Sequence, residues 1–223
     1  MFDRSLEMTA IAGVLALLAW SPAQAQMNGE DAVGTWTVEG RGGVGLPMAD
    51  LSDVADLGPA FGAGVAYRVH PRVRVRADGD LEFFSGADVA AGGTPVPDVT
   101  AWHFSGGAEV DVLPPARRLG LSVHVGGGAT VYDTEAFAEP VFNPLTDDPE
   151  ADFNATYATV TGGLNVSYPV TRRVDAFVGG QVYYSFADEE DTAIFSAFTP
   201  AVSEQGFDKA WSIPLRAGIR ASF

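Results

Sequence analysis

Three kinds of side chain in this sequence are placed to do chemistry. His103 and Ser105 are two residues apart, and an imidazole that takes a serine proton is the start of a nucleophilic hydrolase, needing only an acid to orient the imidazole. Glu109 is the nearest carboxylate, on the same segment as both. Oxygen-rich runs form the second kind: Thr146-Asp147-Asp148-Pro149-Glu150 and Asp188-Glu189-Glu190-Asp191 offer ligands for Ca²⁺, but neither has the glycine-containing spacing of a calcium loop. With no Cys and only three His, including the isolated His124, no transition-metal set is expected and no cofactor is implied. The third kind is the most numerous. Glu39, Arg41, Arg68, Arg74, Arg76, Asp78, Asp80, Glu82, Glu109, Asp111, Asp175, Arg216 and Arg220 each sit between apolar neighbours, one position apart from them.

That interleaving has a period of two and recurs eight times between Trp36 and Phe223. In one segment Val73, Val75, Ala77, Gly79, Leu81 and Phe83 alternate with Arg74, Arg76, Asp78, Asp80 and Glu82. In the last, Trp211, Ile213, Leu215, Ala217, Ile219, Ala221 and Phe223 alternate with Ser212, Pro214, Arg216, Gly218, Arg220 and Ser222. The others start near Trp36, Phe61, Trp102, Leu119, Ala158 and Val174. Each apolar face runs about 10 residues; at about 3.3 Å per residue and a tilt near 40°, that is roughly the 25 Å height of an outer-membrane apolar band. Open sheet edges are not tolerated in hydrocarbon, so eight antiparallel strands must close into a barrel.

The connections alternate in length. Those at 69–72, 113–118 and 169–173 are short and carry Arg72, Arg117, Arg118, Arg172 and Arg173; those at about 47–59, 85–100, 133–152 and 187–209 are long and mostly acidic. Short periplasmic turns opposite long extracellular loops is the expected polarity. Aromatic residues gather at the ends of the apolar faces: Phe83, Trp102, Tyr184, Phe186 and Trp211 toward the long loops, Trp36, Tyr67 and Tyr168 toward the short turns. These are expected to form two interfacial girdles. The remaining charges then line the interior, with Arg76 expected against Glu109, Arg74 against Asp111, Glu39 near Arg68 or Arg220, and Asp175 near Arg220. Pro214 removes a ladder donor and marks an irregularity in the last strand.

Ahead of the strands, the apolar run Ile11–Trp20 and the small residues of Ala23-Gln24-Ala25 read as a secretory signal over 1–25, followed by a short segment 26–34 and a barrel over 35–223. The formal charge of −16 and the lack of a basic stripe exclude a nucleic-acid partner.

Over about residues 34–223 the alternation and the aromatic end at Phe223 resemble the small eight-stranded outer-membrane barrels of the OmpX/OmpA and opacity-like type. That resemblance implies an all-β, up-and-down transmembrane barrel in contact with outer-membrane lipid and lipopolysaccharide. It also implies that Phe223 is an assembly signal read by the barrel-assembly machinery. The implied role is non-enzymatic: membrane stabilisation, with adhesion to a surface or host partner through the acidic loops. Two alternatives accompany it, a narrow small-solute channel and a lipid A-modifying enzyme. His103-Phe104-Ser105 is similar to the His-x-Ser of the lipid A deacylase barrels, but Gly106 stands where that family has Asn, and Arg117 where it has an acid.

Overall fold

The computed structural model describes residues 33–53, 55–86, 98–113, 119–134, 153–186 and 209–223. Ten strands run in chain order: β1 Trp36–Gly45, β2 Pro47–Ala49, β3 Gly58–His70, β4 Val73–Phe84, β5 Val99–Leu113, β6 Gly120–Thr134, β7 Phe153–Pro169, β8 Val174–Phe186, β9 Lys209–Ser212 and β10 Leu215–Ser222. They build eight staves, because β1 and β2 are two parts of the first and β9 and β10 two parts of the last. All neighbours are antiparallel, and β10 pairs with both β8 and β1, closing the sheet on itself. Closure pairs the first stave with the last, so the sheet has no open edge within the belt, as hydrocarbon requires. At the seam Trp36 and Phe223 exchange both backbone hydrogen bonds at 3.0 Å.

The breaks in the first and last staves face each other. Pro214 has no N–H to give, and the chain reconnects around it: Ile213 N–H donates to the Leu46 carbonyl at 2.9 Å, and Gln181 N–H to the Pro214 carbonyl at 3.2 Å. Above this point β2 pairs with β9, and β9 with β8, extending the wall on the long-loop side.

Several strands are longer than the apolar faces suggested, with β5 and β6 at 15 residues and β7 at 17. The alternation in sequence measures only the lipid-facing belt; beyond it the ladder continues where the outer face meets water. The expected long loop at 47–59 also holds structure, namely β2, a 3-10 turn over Asp50–Asp53 and a bridge between Ala55 and Gly86. Residues 87–97, 135–152 and 187–208, which include both acidic runs proposed for Ca²⁺, lie outside the described residues, as do 1–32 and 114–118.

Large apolar side chains face outward: Phe104 and Phe61 are 54% exposed and Ile219 61%. Such a surface is untenable in water over this extent and is the expected exterior of a chain solvated by lipid. At its turn-side rim Trp36 packs on Tyr67 with ring centroids 4.9 Å apart, joined by exposed Tyr168. At the loop-side rim Tyr184 packs edge-on to Phe186 and Trp211 at 4.8 and 5.3 Å, and Phe83 and Trp102 are exposed on β4 and β5 further round the barrel.

Candidate functional site

The interior is the chemically loaded part of the molecule. Alternation along each strand puts every second side chain there, and the ladder register fixes which of them meet. On β4 Arg74 lies opposite Glu109 of β5, and Asp80 opposite His103. On β1 Glu39 lies opposite Arg220 of β10 and Gly64 of β3. Long side chains of opposite sign at neighbouring heights can then interdigitate.

They form one chain of alternating sign running up the lumen. At the short-turn end Arg68 meets Asp111 at 2.9 Å, and Asp111 also bonds Arg74. Arg74 continues to Glu109 at 3.0 Å, Glu109 to Arg76 at 2.8 Å, and Arg76 to Glu39 at 2.7 Å. Arg220 spans Glu39 and Glu109 at 3.0 and 3.1 Å. Glu39 also bonds Arg41, which reaches Asp78 at 2.8 Å and Asp80 at 2.7 Å. Asp80 then bonds Arg216 and accepts the Tyr183 hydroxyl. At the top Glu82 lies 3.9 Å from Arg216 and 3.4 Å from His103 Nε2. Of the expected pairs, Arg76–Glu109 and Arg74–Asp111 are in contact. Glu39 bonds Arg220, and Arg68 bonds Asp111. Asp175 stands opposite Arg220 in the register.

A charge in this position is tolerable only when paired and hydrogen-bonded. Six arginines and six acids, Glu39, Asp78, Asp80, Glu82, Glu109 and Asp111, are buried in the lumen, so the two signs balance among the described residues. Glycine makes room for them: a Cβ on Gly62 would fall 1.7 Å from Asp80 Oδ1. One cavity at mid-barrel, against Arg41, Arg76 and Arg216, holds about 10 Å³, roughly one water.

The inward face is not charged along its whole length. At the loop end Leu51, Ala55, Phe84, Val99, Ala101, Tyr132, Ala155, Tyr157 and Ala210 form an apolar cluster inside the wall. Here, level with the loop-side aromatic rim, the inward side chains pack like the core of a water-soluble protein. The signal was present in Phe84, Tyr132 and Tyr157, which occupy the polar register. Aromatic rings also brace the charges below. His103 stacks on Tyr183 with centroids 3.9 Å apart, and Arg220 lies over Phe177 at 5.4 Å.

The His103–Ser105 pairing is not made for hydrolysis. His103 Nδ1 shares a hydrogen bond with Thr130 Oγ1 at 2.8 Å, which passes on to Thr159 and Ser185 at 2.8 and 3.0 Å. His103 is 1% exposed inside the closed wall, turned away from the lipid an acyl substrate would occupy. His124 is buried beside Gly163, and neither ring nitrogen has a hydrogen-bond partner. Among the described residues no group of three or more His, Cys, Asp or Glu side chains is arranged to hold a metal.

No family model matches the sequence, and no curated protein matches it. Solved structures do. Neisserial surface protein A superposes with a TM-score of 0.57 at 16% identity, over 85% of this chain and 99% of that one. A major outer membrane protein from Thermus thermophilus superposes with a TM-score of 0.53 at 12% identity, over 84% and 99%. This is the fold of the small bacterial outer-membrane barrels. The barrel's apolar, aromatic-rimmed exterior is the surface such a membrane requires, with the short turns on the periplasmic side and the long loops outside.

Proposed function

We propose that this barrel is a plugged scaffold of the outer membrane, stabilising it and presenting its acidic loops to the exterior, and not a conduit for solutes. The observation that carries the reading is the continuous chain of ion pairs from Arg68 to Arg216, capped above by the apolar cluster. Eight strands leave an interior just wide enough for side chains, and here the side chains fill it. Outer-membrane lipid and lipopolysaccharide would contact the aromatic girdles; a surface or host partner would meet the loops. In this reading 1–25 is removed as a signal, which an intact mass beginning after Ala25 would establish, and Phe223 is read by the assembly machinery.

The test is electrical. The purified barrel in a planar bilayer should give no stable conductance steps, and reproducible open-state steps would overturn the reading. Deleting 135–150 or 187–208 should leave folding intact while weakening binding to a cell surface. If binding survives both deletions, the loops are not the presenting surface.

A further inference from the structure

Among the described residues the lumen is closed at one end and open at the other. Below the lowest ion pairs it widens into a cavity of about 350 Å³ that faces the short turns. Arg68, Arg74 and Arg220 form its inner wall, and Arg172 and Arg173 its rim, against the carboxylates of Asp111 and Asp175. Asp111 is already taken by Arg68 and Arg74. Arg172 and Arg173 are exposed, and among the described residues neither is paired with a carboxylate. Ser167, Thr171 and Ser222 line the same cavity.

Several guanidinium groups and hydroxyl side chains lining one concavity, at the small end of the range for ligand pockets, suit a compact oxyanion. The rim is rigidly placed: Val170 and Thr171 both donate their N–H to the Val174 carbonyl, at 2.9 and 3.0 Å, and Arg173 N–H reaches Thr171 Oγ1 at 3.2 Å. We propose that this periplasmic mouth is a dead-end binding site for a phosphate group, held by Arg172 and Arg173 at the rim with the arginine-lined wall behind. The group is carried either on a small soluble anion or on a phospholipid headgroup of the inner leaflet, at whose level the short turns lie.

The experiment uses the full barrel, isotope-labelled and refolded in a maltoside detergent, titrated with inorganic pyrophosphate and, separately, embedded in nanodiscs with or without phosphatidylglycerol. Binding should be saturable, and amide shifts should centre on Gly120, Ser167, Thr171 and Ser222. The double variant Arg172→Gln/Arg173→Gln should bind at least about tenfold more weakly while keeping the heat-modifiable gel mobility of the parent. Thr171→Glu, which adds a carboxylate at the rim, should do the same. Response to pyrophosphate alone assigns a soluble ligand; response to phosphatidylglycerol assigns the headgroup. No saturable response to either probe, equal binding by folded variants, or shifts centred elsewhere overturns the site.

Discussion

Arg76 and Glu109 meet at 2.8 Å inside the barrel, although their Cα atoms are not opposite each other in the ladder; Glu109 faces Arg74. Glu109 is thereby shared by Arg74, Arg76 and Arg220 and is only 1% exposed. Removing it leaves three guanidinium groups short of a counter-charge. Glu109→Ala is expected to lower stability by about 3–5 kcal/mol. The urea midpoint for loss of the fast-migrating unboiled band measures this, and a shift indistinguishable from zero would show that the chain of pairs does not hold the barrel together.

The same chain fills the lumen below the apolar cluster, so thinning it alone should open no path while the cluster holds. Arg41→Ser combined with Asp80→Ser removes one charge of each sign and the bulk between Glu39 and Arg216. Single-channel recording of this variant should stay silent, and conductance should appear only when Phe84→Ser and Tyr132→Ser thin the cluster as well. Conductance from the folded double variant alone would show that the cluster does not seal the barrel.

Glycines on the two faces should respond oppositely. A Cβ on Gly128 would lie 1.8 Å from the Phe104 carbonyl oxygen, so β5 and β6 must separate to admit it. A Cβ on Gly79 meets only the Phe104 ring, at 4.0 Å. Gly128→Ala is expected to cost about 1–3 kcal/mol, and Gly79→Ala to gain about 0.5–1 kcal/mol from a stiffer unfolded chain. Paired urea titrations of the two variants give the comparison, and equal midpoints would contradict it.

Trp36, Trp102 and Trp211 are 48%, 43% and 36% exposed on the outer face near its rims. In bilayers of brominated lipid, bromine near the glycerol backbone should quench their fluorescence more than bromine at the chain terminus. The reverse order would move the girdles toward the bilayer centre.

Phe223 and Trp36 close the seam through their backbones, with the Phe223 ring 69% exposed. Phe223→Ala should therefore lower the yield of barrel assembled in cells more than it lowers the urea midpoint of barrel refolded in vitro. Equal losses in both would make the ring a packing element and not a signal.

The barrel itself was legible because lipid outside and charge inside impose a period of two on every stave, as Val73–Phe83 displays. Partners within the lumen were legible only in part. Arg74–Asp111 and Arg76–Glu109 follow from strand direction and height, whereas Glu39 with Arg41 and Arg76 depends on arginine length and on the room left at Gly62 and Gly64. Tyr183 against His103 has no local signal, since it joins β8 to β5 across the lumen. The apolar cap was missed because inward positions change character level with the loop-side aromatic rim, and a rule built for the belt does not say where the belt ends.

Because Leu51, Phe84, Val99, Tyr132 and Tyr157 lid the tube on its outer side, hydronium ions from the surroundings cannot reach the carboxylates beneath without prising that packing apart. The periplasm, which meets the uncovered end, is the compartment whose acidity the buried salt bridges would feel first.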